Sequence, residues 1–186
     1  MKPSQKLIIT LLLIIILITI SFVPIKNIFY KNCLIENRDS DFMTILTRDT
    51  SYCQSSSDPD FCYKYYLMLH AIYDGDERFC EDTEEFREVC EGFVIEGANM
   101  DCNILESQLD KSICFASLKN DISYCGNLPN DVKVFCEENA AIVSASISKN
   151  DQSCVKINDD LTKAFCFAWV NKDSSLYLEE IESFCS

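Results

Sequence analysis

Twelve cysteines carry most of the chemistry open to this chain, and their spacing decides which chemistry. Zinc and iron–sulfur sites draw on close pairs such as C-x2-C, and a dithiol oxidoreductase needs C-x-x-C at a helix start. Neither pattern occurs, since the shortest separation runs from Cys53 to Cys62. The cysteines are therefore expected to form disulfides in an oxidising compartment, with no metal and no cofactor. The only histidine, His70, sits in Leu67-Met-Leu-His70-Ala-Ile with no nucleophile signature beside it, so it reads as packing rather than catalysis. Asp58-Pro-Asp60 and Asp74-Gly-Asp76-Glu77 lack the alternating ligands and closing Glu of a calcium loop and read as caps and turns. No residue is assigned a catalytic role, and the protein is expected not to be an enzyme.

The elements that position the cysteines repeat. Asp49, Asp76, Asp121 and Asn150 each stand four residues before Cys53, Cys80, Cys125 and Cys154, while the copy at Cys102 has Ala98 there and Asn99 next to it. Asp and Asn start helices by accepting from the free amides of the first turn, so each unit opens with a short helix of about two turns. Turn residues such as Ser55-Ser56-Ser57-Asp58-Pro59 and Asn127-Leu128-Pro129-Asn130 end it. A longer amphipathic helix then carries Cys62, Cys90, Cys114, Cys136 or Cys166, always preceded by an apolar residue: Phe61, Val89, Ile113, Phe135 and Phe165. Spacing such as Val132, Phe135, Cys136, Ala140, Val143 and Ile147 makes one buried stripe. No sustained alternating pattern suggests strands, so the fold class is all-α, a disulfide-stapled α-hairpin repeat of α-solenoid type. Two partial units flank the full ones: Phe42 stands where a second cysteine belongs and Tyr177 where a first one does. Atypical end units suit a solenoid, whose terminal faces have no neighbour.

Two disulfide registers fit. In the same-hairpin register Cys53 pairs with Cys62, Cys80 with Cys90, Cys102 with Cys114, Cys125 with Cys136 and Cys154 with Cys166, leaving Cys33 and Cys185 over. A staggered ladder joins each first cysteine to the second of the next unit, from Cys33 with Cys62 to Cys154 with Cys185, and uses all twelve. Sequence does not choose between them.

Residues 7–24 (LIITLLLIIILITISFVP) carry no charge, and at about 1.5 Å per residue they match a bilayer core. No small-residue cleavage site follows, so residues 1–26 read as an uncleaved signal anchor. Residues 27–186 are then an extracytoplasmic domain, since regularly spaced cysteines belong in oxidising surroundings, with the N-terminus cytoplasmic. Beyond residue 26 stand thirteen basic and thirty acidic residues, net −17, a balance that excludes nucleic acid as a partner.

The unit D-x-S-x-C, a turn, then an apolar residue and a cysteine, as in Asp49-Thr-Ser-Tyr-Cys53 and Asp121-Ile-Ser-Tyr-Cys125, resembles repeats of membrane-anchored, cysteine-rich helical-repeat proteins of archaeal type. The resemblance covers roughly residues 29–185 and implies an architecture without an activity. The expected function is a membrane-anchored scaffold that binds a protein or peptide. Aromatics left on its surface, Tyr65, Tyr66 and Trp169, are the candidate contact residues. A redox protein using an unpaired Cys33 or Cys185, and a purely structural envelope protein, are the alternatives.

Overall fold

The computed structural model describes residues 40–185, and the apolar segment 7–24 and Cys33 lie outside them. Among the described residues every element is helical. No helix among them is long and apolar enough to cross a membrane. The α-helices are α1 (Ser40–Thr47), α2 (Pro59–Asp74), α3 (Arg87–Glu91), α4 (Gln108–Lys119), α5 (Asn130–Ser148), α6 (Asp160–Asn171) and α7 (Ser175–Cys185). Asp39–Glu180 is one compact unit, and the chain from Ile181 belongs to a second.

One joint recurs between units, and it explains the capping pattern. α1, α2, α4, α5 and α6 each end beside a left-handed residue, Arg48, Gly75, Asn120, Lys149 or Lys172, with φ between 50° and 72°. The next residue is the Asp or Asn that opens the following unit. In four of the five joints its N–H bonds back to a helical carbonyl five residues earlier: Asp76 to Ala71 at 3.1 Å, Asp121 to Ala116 at 2.9 Å, Asn150 to Ala145 at 3.2 Å and Asp173 to Ala168 at 2.9 Å. This is Schellman geometry, which satisfies the last carbonyls of a helix while reversing the chain. The carboxylate or amide then accepts the N–H two residues on, as Asp49 Oδ1 does from Ser51 at 3.0 Å and Asp121 Oδ1 from Ser123 at 3.0 Å.

The elements so opened are tighter than two α-turns. They are 3₁₀ turns at Thr50–Ser55, Glu77–Cys80, Cys102–Ile104, Ile122–Cys125 and Asp151–Lys156. The Asx turn engages an N–H only two residues away, and the disulfide anchors the chain before an α-helix can propagate. In the third unit the cap is Asp101, directly before Cys102, and not the Ala98–Asn99 position.

Four alanines at the joint, Ala71, Ala116, Ala145 and Ala168, are at most 2% exposed. A side chain larger than a methyl would be driven into its neighbours. Ala145→Leu is expected to cost about 1–3 kcal/mol by overpacking, read from the chemical-denaturation midpoint.

The joint also sets helix length. From second cysteine to next cap the chain runs 14 residues after Cys62, 7 after Cys114, 14 after Cys136 and 7 after Cys166. A step of seven is close to two turns, so long and short helices present the same face to their neighbours. The 11 residues after Cys90 are the exception. There α3 is five residues long and passes into a π-helical turn, Gly92–Glu96. At Gly92 a Cβ would lie 2.6 Å from Met100 Cε, so any larger residue there would have to displace the flexible end of the Met100 side chain.

The solenoid expectation does not hold. A solenoid has contacts between neighbouring repeats only, whereas here α1 packs on α2, α2 on α5, α5 on α6, and α6 back on α1. Phe42 in α1 stacks on Phe165 in α6 with ring centroids 4.1 Å apart, and Tyr177 meets Phe42 edge-on at 5.9 Å. Phe42 and Tyr177 are the residues standing in missing cysteine positions of the two partial units. These units are therefore complementary halves, joined by aromatic packing, and not solenoid caps.

A polar network ties the four-helix ring at its centre. His70 Nε2 lies 3.2 Å from the Ile45 carbonyl, the Trp169 indole N–H donates to Ser146 Oγ at 2.9 Å, and the Tyr73 hydroxyl donates to the Val170 carbonyl at 3.1 Å. His70 is 1% exposed, with Tyr66 and Trp169 rings at 4.6 and 4.8 Å. Burial first, and then the Arg48 charge, lower its pKa, with the Ile45 carbonyl and Asp74 acting the other way. The folded state thus binds the proton less readily than the unfolded chain. The stabilisation it gives is complete above the unfolded value of 6.5 and is lost as pH falls below it. The denaturation midpoint is expected to drop between about pH 7.5 and pH 5, and His70→Gln is expected to flatten that drop.

Candidate functional site: an apolar cleft built by the repeat

Five disulfides with both cysteines among the described residues close in the same-hairpin register: Cys53–Cys62, Cys80–Cys90, Cys102–Cys114, Cys125–Cys136 and Cys154–Cys166, with Cα separations of 5.6–5.8 Å. The staggered ladder is absent, because it would draw each short turn away from the helix it caps. Cys185, left over by the same-hairpin register and bridged in the staggered ladder, is disulfide-bonded. Cys33 lies outside the described residues.

Each second cysteine faces its own hairpin, and the apolar residue before it points elsewhere. Phe61 (α2), Val89 (α3), Ile113 (α4) and Phe135 (α5), equivalent positions of four successive units, line one cleft. Residues a turn away on the same faces complete it: Tyr65 and Met68 on α2, Phe86 and Phe93 flanking α3, Leu109 on α4, Asn139 and Val143 on α5. The fifth equivalent, Phe165, is used in the ring closure with Phe42. Four helices line the cleft, of which α3 is the shortest. Its volume is about 280 Å³. A cavity of about 150 Å³ holds benzene, so this one accommodates a bicyclic aromatic or a branched aliphatic group.

The aromatic walls are held in place. Phe61 stacks on Tyr65 at 5.8 Å and meets Phe86 edge-on at 5.8 Å. Phe86 ends the turn Glu84–Phe86, which Lys64 of α2 anchors: its Nζ lies 2.7 Å from Asp60, 2.7 Å from Glu84 and 2.9 Å from Glu85. The three carboxylates push the lysine pKa well above its ordinary range, Asp60 most, and Lys64 lowers that of Glu85 in turn. Lys64 thus positions one wall of the cleft without lining it.

Two polar side chains enter the cleft, Asp110 and Asn139. The Asn139 amide is turned back on its own helix, donating to the Phe135 carbonyl at 2.8 Å. Asp110 is half-buried in the first turn of α4, where its backbone N–H bonds Ser107 Oγ at 3.3 Å. Desolvation raises its pKa and a hydrogen bond with Ser107 offsets this in part. Among the described residues no lysine or arginine pairs with it.

The aromatics expected at the surface are placed differently. Trp169 is 5% exposed and belongs to the central network, and Tyr65 is 7% exposed and forms a cleft wall. Tyr66 is half-buried between His70 and Tyr63, whose ring is 6.4 Å away. Ring closure accounts for Trp169, which meets His70 and Tyr73 of α2 across the bundle, whereas Tyr65 and Tyr66 pack on rings of their own helix, Phe61 for the first and Tyr63 and His70 for the second. The signal for the cleft was the recurring apolar residue before each second cysteine, which reads as ordinary core until four copies are found to converge. No family model, curated protein or solved structure matches this chain.

Proposed function

We propose that the protein is a membrane-anchored, extracytoplasmic scaffold without catalytic activity that binds a protein or peptide partner through the apolar cleft between α2, α3, α4 and α5. The observation that supports it most is convergence: four repeat units each contribute their equivalent apolar residue to one opening. That opening lies on a compact unit whose charged residues are predominantly acidic. Concave apolar sites with a few fixed polar groups are the usual form of a recognition pocket. Anchoring through residues 7–24 would hold the cleft outside the bilayer, where the disulfides persist.

Selection of random peptides displayed on phage against the oxidised full-length protein tests the reading. Selected peptides are expected to carry an aromatic or branched aliphatic residue and to lose binding to Ile113→Arg, a variant whose circular dichroism should match the parent. Peptides that bind this variant equally well would sink the assignment of the cleft. An impermeant amine reagent applied to intact cells is expected to label the lysines of the domain, and failure to do so would overturn the topology.

A further inference from the structure

Resting on the cleft as the binding site, we infer that its occupant is a cationic amphipathic peptide segment, whose aromatic side chain fills the cleft and whose adjacent Lys or Arg pairs with Asp110. The lining contains five aromatic rings, those of Phe61, Tyr65, Phe86, Phe93 and Phe135, with one carboxylate and no cationic side chain. Asn139 has a donor committed to the Phe135 carbonyl. An anionic group entering the cleft would meet a carboxylate and ring faces that repel it, whereas a cation is favoured by both. The carboxylate is half-buried without a basic partner among the described residues, so pairing with a ligand cation replaces hydration it has already partly lost.

Longer-range charge acts in the same direction. The stretch along the α3 wall, Glu81 to Glu91, carries six carboxylates; Lys64 is paired with two of them, Glu84 and Glu85, and Arg87 with a third, Glu91 at 2.7 Å, so the rim stays net negative through Glu81, Asp82 and Glu88. Such a rim raises the local concentration of a basic segment and repels an acidic one. The volume of about 280 Å³ suits one large side chain and not a whole helix face. Recognition is therefore by a single anchor with its flanking charge.

Three probes test the inference with the full-length oxidised protein in zwitterionic lipid nanodiscs: acetyl-Trp-Lys-amide, acetyl-Trp-Gln-amide and acetyl-Trp-Glu-amide. Binding is followed through the NMR signals of the Asn139 side-chain amide and the Ile113 methyl groups. The lysine peptide is expected to bind about five- to tenfold tighter than the glutamine peptide, with the glutamate peptide weakest, as one charge-assisted hydrogen bond at a half-buried site allows. Asp110→Asn is expected to bring the lysine peptide down to the glutamine level while leaving the glutamine peptide unchanged. Equal binding of all three, or a lysine preference that survives Asp110→Asn, overturns the cationic occupant and leaves the cleft reading intact. No shift at Asn139 or Ile113 with any of them overturns both. Should Asp110→Asn fail to fold, the ranking on the parent protein decides alone.

Discussion

Full reduction under non-denaturing conditions is expected to abolish the helical circular dichroism of the domain. Each of the five observed bridges closes 9 to 12 residues of sequence separation. Chain-entropy arguments assign about 2.5–3 kcal/mol to a loop of that size. Together they come to roughly 13 kcal/mol, comparable with the entire stability of about 5–15 kcal/mol typical of a domain. The 3₁₀ turns have little else to hold them, since runs of three to six residues do not persist alone. Removing one bridge separates this effect from side reactions of the reductant. Cys125→Ala with Cys136→Ala deletes a bridge whose cysteines are fully buried in a cluster with Ala116 and Ala140. About 3 kcal/mol or more should be lost in the denaturation midpoint, with a native-like spectrum retained in buffer. A reduced parent that keeps its helical spectrum and cooperative transition would show that packing alone holds the fold.

Local features of this architecture were legible in sequence, and closure was not. Asp49, Asp76, Asp121 and Asn150 announce their turns because capping is decided within a few residues. The buried stripe expected of α5 holds only in part: Cys136, Ala140 and Val143 are at most 2% exposed, but Phe135 is 41% exposed at the cleft, and Ala141, Ile142, Ala145 and Ser146 off the stripe are buried too, because neighbours cover this helix on several sides. The third cap was missed because its carboxylate, Asp101, stands next to Cys102 and breaks the spacing that marks the others. The alanine five residues before four of the caps was visible as a recurring letter. Its reason, the 6→1 hydrogen bond of a Schellman turn, appears only with the backbone. Closure was hidden for a different cause. Phe42 and Tyr177 lie 135 positions apart in sequence, and no local rule relates them. The cleft follows from closure, because Phe61, Val89, Ile113 and Phe135 converge only when the helices that carry them curve round a common opening.

The ring makes a quantitative claim of its own, carried by Phe165. This side chain is fully buried, stacked 4.1 Å from Phe42 and edge-on to Tyr177 at 6.4 Å, so it touches both partial units at once. Phe165→Ala removes that wedge and is expected to cost about 3–5 kcal/mol, the range for deleting a buried aromatic. In an open stack the same substitution would loosen the last hairpin and leave α2 and α4 as protected as before. In the ring, α1 and α6 lose their shared surface and the central network loses its frame. Amide exchange is therefore expected to rise in α1 and α2 as well as in α6, the Ile45 to His70 contact opening along with Tyr73 to Val170. Phe165→Leu, which keeps most of the apolar volume, should recover more than half of the loss. Exchange confined to α6 in Phe165→Ala would mean that the two ends of the repeat fold independently and that their aromatic contact adds nothing to the stability of the whole.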